Sequence, residues 1–207
     1  VASLPGGGRR YVPATDTWKK LSISVRVDSN GMKPLLLWTG SELLIWNGSF
    51  GDRYDPATDT VKPMVRDNLP ATATTTGVWT GSEMILFGGP TAKPGAAYNP
   101  VTDTWRAIST ANAPAGRFDH SAVWSGGEMY VWGGRNRQSS APAQLDGARY
   151  NPSTDVWRPL GTNGATARCQ HSAAWSGNEM IVFGGRNFDQ KQQRWVAVEG
   201  GARYNPK

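Results

Sequence analysis

The chain has only two histidines, His120 and His171, and each lies in the phrase Arg-x-x-His-Ser, with Arg117 and Arg168 three residues earlier. Neutral imidazole can act as a base near neutral pH and is a common ligand for copper or zinc. A second pair of arginines, Arg135 and Arg186, opens the dipeptides Arg135-Asn136 and Arg186-Asn187, each directly after a glycine pair. Guanidinium groups grip planar anions through paired N–H donors, so arginines in recurring settings point to an anionic or sugar-like ligand. Trp195, in the stretch RNFDQKQQRWVAVEG (186–200), is the one tryptophan outside any recurring position. Glu128, inside WSGGEMYVWGG, is a lone carboxylate in an apolar run and invites a catalytic reading.

The elements that must carry these residues follow from internal repetition. WTGSELLIWNG starts at Trp38, WTGSEMILFGG at Trp79, WSGGEMYVWGG at Trp124 and WSGNEMIVFGG at Trp175, spaced by 41, 45 and 51 residues. A second phrase follows each of the first three: YDPATDTV from Tyr54, YNPVTDTW from Tyr98 and YNPSTDVW from Tyr150; YVPATDTW from Tyr11 precedes them all. Each unit reads as four short strands. A small-residue inner strand turns through a glycine into an apolar second strand, and Asn/Asp-Pro turns join an outer pair. No segment keeps a 3.6-residue apolar period, so helix should be nearly absent. The fold class expected is all-β, a β-propeller of four-stranded blades. The boundaries are an outer strand pair in 1–33, blades in 34–74, 75–116 and 117–167, and an incomplete blade in 168–207. Glu42, Glu83, Glu128 and Glu179 share one repeat position, as do Asp16, Asp59, Asp103 and Asp155, so these carboxylates are expected to be scaffold. The repeated tryptophans are expected to pack between blades.

The double glycine, the Tyr-Asn-Pro turn and the outer tryptophan resemble kelch repeats over almost the whole chain. Two departures are Asn47-Gly48 in place of a glycine pair and Val61 in place of the outer tryptophan. The resemblance implies a ring, with three closures open: part of a larger propeller, a ring completed by a second copy, or a small four-bladed ring. It also implies that the loops before the inner strand and after the double glycine open on one face, where arginines contact acidic ligands. On that basis the ligand-binding candidates are Arg117, Arg135, Asn136, Arg168, Arg186, Asn187 and Trp195. His120 and His171 match strand-entry positions of the pattern, so metal ligation is the lesser reading and no cofactor is expected.

The function expected is a recognition or scaffold module without catalysis of its own, binding a protein, an acidic peptide or an anionic sugar. The alternative is a propeller enzyme acting on carbohydrate, akin to a sialic acid mutarotase and less so to a copper oxidase. Composition narrows the partners. The net charge is +6, but fifteen arginines stand against seven lysines without lysine clusters, so nucleic acid is not expected. No run of eighteen apolar residues exists to span a membrane as a helix. One cysteine, Cys169, excludes an intramolecular disulfide and a cysteine-rich zinc site. The flavour of the repeats suggests a bacterial protein exported to the periplasm or outside the cell.

Overall fold

The computed structural model describes residues 8–21, 34–67, 75–90, 95–136, 140–162 and 164–206. Among these, the only helical element is a 3-10 turn, Pro13–Thr15, and everything else regular is strand. An antiparallel pair, β1 (Arg9–Val12) and β2 (Thr17–Lys20), comes first. The first blade is β3 (Leu35–Trp38), β4 (Leu43–Trp46), β5 (Gly51–Asp55) and β6 (Thr60–Pro63). The second is β7 (Thr75–Trp79), β8 (Met84–Gly88), β9 (Gly95–Asn99) and β10 (Thr104–Ala107). The third is β11 (Ser121–Trp124), β12 (Met129–Trp132), β13 (Gly147–Asn151) and β14 (Val156–Pro159). In each, the strands pair in sequence order as an antiparallel meander. The fourth sheet is β15 (Ser172–Trp175), β16 (Met180–Phe183) and, after an inserted hairpin of β17 (Arg186–Asp189) and β18 (Arg194–Ala197), β19 (Gly201–Tyr204).

Inner strands β3, β7, β11 and β15 contact one another in succession, so the sheets stand side by side as blades. The cores lie between blades. Leu44 and Trp46 of the first pack on Leu86, Tyr98 and Trp105 of the second. Ile85 and Phe87 of the second pack on Met129, Val131, Tyr150 and Trp157 of the third. Both faces of a second strand are thereby covered, which is why β8 and β12 read apolar at every position.

The repeated polar residues tie the blades together. Tyr98 Oη donates to Asp103 Oδ1 at 2.6 Å, and the same oxygen accepts from Val65 N of the preceding blade at 3.1 Å. Trp105 Nε1 closes the clamp on Val65 O at 3.1 Å. One blade on, Tyr150, Asp155 and Trp157 make the same three bonds, with Ser109 in Val65's place. The repeated glutamates are scaffold, as expected. Glu42 pairs with Arg53 at 2.7 Å, Glu128 with Arg149 at 3.3 Å and Glu179 with Arg203 at 3.6 Å. In the second blade Ala97 stands where the others have arginine, and Arg106 of β10 reaches Glu83 instead, at 2.6 Å.

Two expectations need correction. The repeated tryptophans do not pack between blades in every unit: Trp18 of the outer set is 62% exposed, and Trp38 of the inner-strand set is 52% exposed beside Leu36, equally exposed. Burial at the inner-strand position comes from a neighbouring blade's inner strands, and none of the described residues supplies them there. Residues 186–200 are not simply a long loop either, since β17 and β18 pair from Arg186↔Ala197 to Asp189↔Arg194.

Candidate functional site

Strand-entry loops and post-glycine loops of the third and fourth blades are joined by backbone pairing. Phe118 and Arg135 exchange both N–H···O bonds at 2.8 Å, and Cys169 and Arg186 do so at 2.9 Å. Gln170 N donates to Asp119 O at 2.8 Å, linking the two entry loops. The glycine pairs are required by close approach. At Gly134, with φ +93°, a Cβ would lie 2.6 Å from Phe118 O, and at Gly185, with φ +90°, 2.7 Å from Cys169 O.

On this face Asp119 is the hub. Its Oδ2 accepts from Arg135 Nε at 2.6 Å and from Gln170 Nε2 at 3.2 Å. Arg135 is therefore present at the loop face but already shared with a carboxylate. Asn136 follows it, half-buried. Arg186 is exposed, and its guanidinium lies 5.2 Å from the ring centroid of Trp195. Trp195, on β18, is held edge-on by Phe188 of β17 at 5.6 Å. Asn187 Oδ1 accepts from Ala143 N at 2.8 Å, tying the hairpin to the long loop of the third blade. Arg135, Arg186 and Trp195 thus reach one neighbourhood, with Asn187 as a brace.

Arg117 and Arg168 do not join them at the surface. Their residues are 1% and 2% exposed. Arg117 Nε donates to Ala115 O, Nη1 to Gly133 O and Asp146 O, and both terminal nitrogens grip the Asp146 carboxylate at 3.0 and 2.9 Å. Its own carbonyl accepts from Gly89 N of the preceding blade, as Arg168 O accepts from Gly134 N. The expectation that Arg117 contacts a ligand gives way to a structural role, because the side chain is buried and all three of its nitrogens are already bonded. Arg168 repeats the carbonyl contacts, through Nε to Thr166 O and Nη1 to Gly184 O and Gly200 O, but meets no carboxylate among the described residues. The four-arginine face therefore narrows to two.

Each histidine bonds to the blade before it. His120 Nε2 is 2.7 Å from Thr76 Oγ1, and His171 Nε2 is 2.8 Å from Ser121 Oγ. Both Nδ1 atoms are buried with no geometrically formed hydrogen bond among the described residues. Burial, reinforced by Arg117, drives the His120 pKa down to about 3, with the Phe87 carbonyl opposing. Burial and the charge of Arg168 bring His171 down to about 4. These imidazoles are neutral inter-blade ties in different blades. Burial pushes the Cys169 thiol up, Asp119 adding to the shift while Arg135 and Arg186 oppose it, so it is held as a thiol.

Four-stranded antiparallel sheets side by side, with cores between them and loops gathered at one edge, define a β-propeller assembly. The family model described as the KLHDC2/KLHL20/DRC7 Kelch-repeats domain matches residues 71–199. The chain belongs to the kelch-repeat family. It is 33% identical over 111 residues to Kelch domain-containing protein 3 of Homo sapiens, covering 50% of this chain and 29% of that protein. It is 34% identical over 87 residues to N-acetylneuraminate epimerase of Haemophilus influenzae (strain PittEE), covering 41% and 23%. A Kelch domain-containing protein of Archaeoglobus fulgidus is 26% identical over 132 residues, covering 58% and 40%. The matches thus span less than half the length of these relatives. Their spread over an animal, a bacterium and an archaeon lends no support to a specifically bacterial protein.

Proposed function

We propose that the chain is a recognition segment of a kelch propeller, binding an acidic peptide segment of a partner protein on the loop face of its third and fourth blades. The observation that carries this reading is the exposed Arg186 guanidinium laid over Trp195, beside Arg135. A hairpin holds the pair before any ligand arrives, so little side-chain freedom is lost on binding. An acidic side chain would meet Arg186 as a charge-assisted bond, and an adjacent apolar or planar group would lie on Trp195. Arg135 contributes less, because Asp119 already neutralises it. Selection from a random peptide display library tests this. Enriched peptides should be acidic, and Arg186→Ala combined with Trp195→Ala should abolish capture while thermal stability stays nearly unchanged. Peptides without acidic enrichment, or captured equally by the double variant, would refute the reading.

A second reading rests on the likeness to N-acetylneuraminate epimerase. The carboxylate of a sialic-type sugar would sit on Arg186, with Glu199 or Asp119 exchanging the proton. Incubation with N-acetylneuraminate, following anomer or epimer exchange by NMR, decides it. Turnover lost in Arg186→Ala would support the enzyme, and none would leave recognition alone.

A further inference from the structure

The strand pair β1–β2 has the frame of the later outer pairs, but it differs from them in what it turns outward. Tyr11 lies opposite Trp18, as Tyr98 lies opposite Trp105 and Tyr150 opposite Trp157. Tyr11 Oη donates to Asp16 Oδ1 at 2.7 Å, repeating the bond from Tyr98 to Asp103. The two rings are 5.3 Å apart, yet Tyr11 is 43% exposed and Trp18 62%, where their counterparts are buried. Leu21 packs on Ile45 and Tyr54 of the first blade, and Arg10 Nη1 donates to Pro56 O at 3.0 Å. Alternation along the strands therefore turns Arg10 and Lys19 toward the first blade, and Arg9, Tyr11, Trp18 and Lys20 away from it.

Cations flank the aromatic pair. Arg9 stands directly opposite Lys20, and Arg10 directly opposite Lys19. Like charges facing each other across a strand pair repel. All four are exposed, and none has an ion pair among the described residues. In the place of Arg9 and Lys20 the second blade has Ala96 and Ala107, and the third has Ala148 and Pro159. Ala96 and Ala148 are sunk in the cores between blades. The outward face of β1–β2 is therefore unsuited to a further apolar blade, which would bury two unpaired cations. An anionic surface suits it, because the cations stay wet while the rings are covered.

We propose that the outward face of β1–β2 is a contact site for a membrane surface rich in anionic lipid. Trp18 and Tyr11 enter the headgroup layer, where such rings are favoured, and Arg9 and Lys20 meet the lipid phosphates and carboxylates. Folding joins residues 9–10 and 19–20, apart in the chain, into one cluster of four positive charges. The cluster spreads over both faces of a two-stranded hairpin instead of lining a pocket, which fits an extended surface better than a small ligand. Asp16, the one acid of the hairpin, already accepts from Tyr11. A nucleic-acid strand fits less well, since it asks for a longer cationic track and a free stacking ring, and here the two rings lean on each other at 48°. The site is separate from the loop face and does not rest on the recognition reading.

Cosedimentation with phosphatidylcholine vesicles, with and without about one-third phosphatidylserine, tests the site. The wild-type protein should bind the anionic vesicles at least roughly tenfold more tightly than the neutral ones, and let go as NaCl rises to about 0.5 M. Arg9→Gln combined with Lys20→Gln should weaken that binding roughly 20-fold. Its Tm should match or exceed that of wild type, since a cross-strand repulsion is relieved, and peptide capture should be unchanged. Trp18→Ala should weaken binding several-fold and remove the vesicle-induced change in tryptophan emission. Arg158→Gln combined with Lys191→Gln removes the same charge from exposed positions elsewhere and should leave binding near wild type. Equal loss in the two double variants would reduce the effect to net charge and overturn the site. Equal binding to neutral and anionic vesicles would overturn it as well. Tighter binding to heparin or single-stranded DNA than to the anionic vesicles would overturn the lipid assignment.

Discussion

Lowering the pH from 7.5 to 5 should destabilise the protein strongly, because of two residues. His120 and His171 are neutral in the fold down to about pH 3 and 4. In the unfolded chain they take up protons near pH 6.5. Below pH 6.5 the unfolded state therefore binds more protons, and stability falls as pH falls until the folded pKa values are reached. At pH 5 each histidine costs about 2 kcal/mol, so the pair costs about 4 kcal/mol relative to pH 7.5. For a chain of this size that is a drop in Tm on the order of 8–16 °C. Asp55, whose carboxyl is lowered by hydrogen bonds from Ala57 N and the Thr58 hydroxyl, loses its contribution only below about pH 4, outside this window. Urea midpoints at pH 7.5, 6 and 5, at constant ionic strength, measure the effect. In His120→Gln the pH-dependent loss should fall by about half, since the amide can still bond Thr76 but does not titrate. Stability flat between pH 7.5 and 5, in wild type and variant alike, would refute the burial and ties assigned to these imidazoles.

Two structural predictions follow from the clamps and the glycine pairs. Asp155→Ala leaves Tyr150 Oη and Ser109 N without their acceptor and should cost about 2–3 kcal/mol in urea unfolding, with little effect on peptide capture. Gly134→Ala combines a φ of +93° with a Cβ 2.6 Å from Phe118 O and should cost about 2–4 kcal/mol. It should also weaken capture, because Phe118 and Arg135 are paired across it.

The blades were legible because their phrases recur, which also marked Glu128 as scaffold rather than a catalytic acid; in the structure it pairs with Arg149. The fates of the arginines were not. Arg117 and Arg135 are alike in type and both sit in recurring phrases, yet one is enclosed by carbonyls and Asp146 and the other reaches the loop face. Only the spacing of three strands in space decides that. The hairpin β17–β18 did leave a trace. Asp189 precedes Trp195 by six residues, as Asn99 precedes Trp105 and Asn151 precedes Trp157. Asp189 Oδ1 accepts from Lys191 N and Gln192 N as Asn99 Oδ1 does from Val101 N and Thr102 N. Gln193, at φ 51°, takes the left-handed position of Asp103. The phrase was hidden because the tyrosine and proline that mark it elsewhere are Phe188 and Gln190 here.

On the recognition reading, ligands engage the loop face of the third and fourth blades. Its most direct test is a titration of the isotopically labelled protein with a captured acidic peptide, followed by amide and indole chemical shifts. Shifts should concentrate at Asp119, Arg135 and Arg186 and at the Trp195 indole. A response centred instead on the opposite turns, at Ser82–Glu83 and Gly126–Gly127, with Trp195 unmoved, would contradict it.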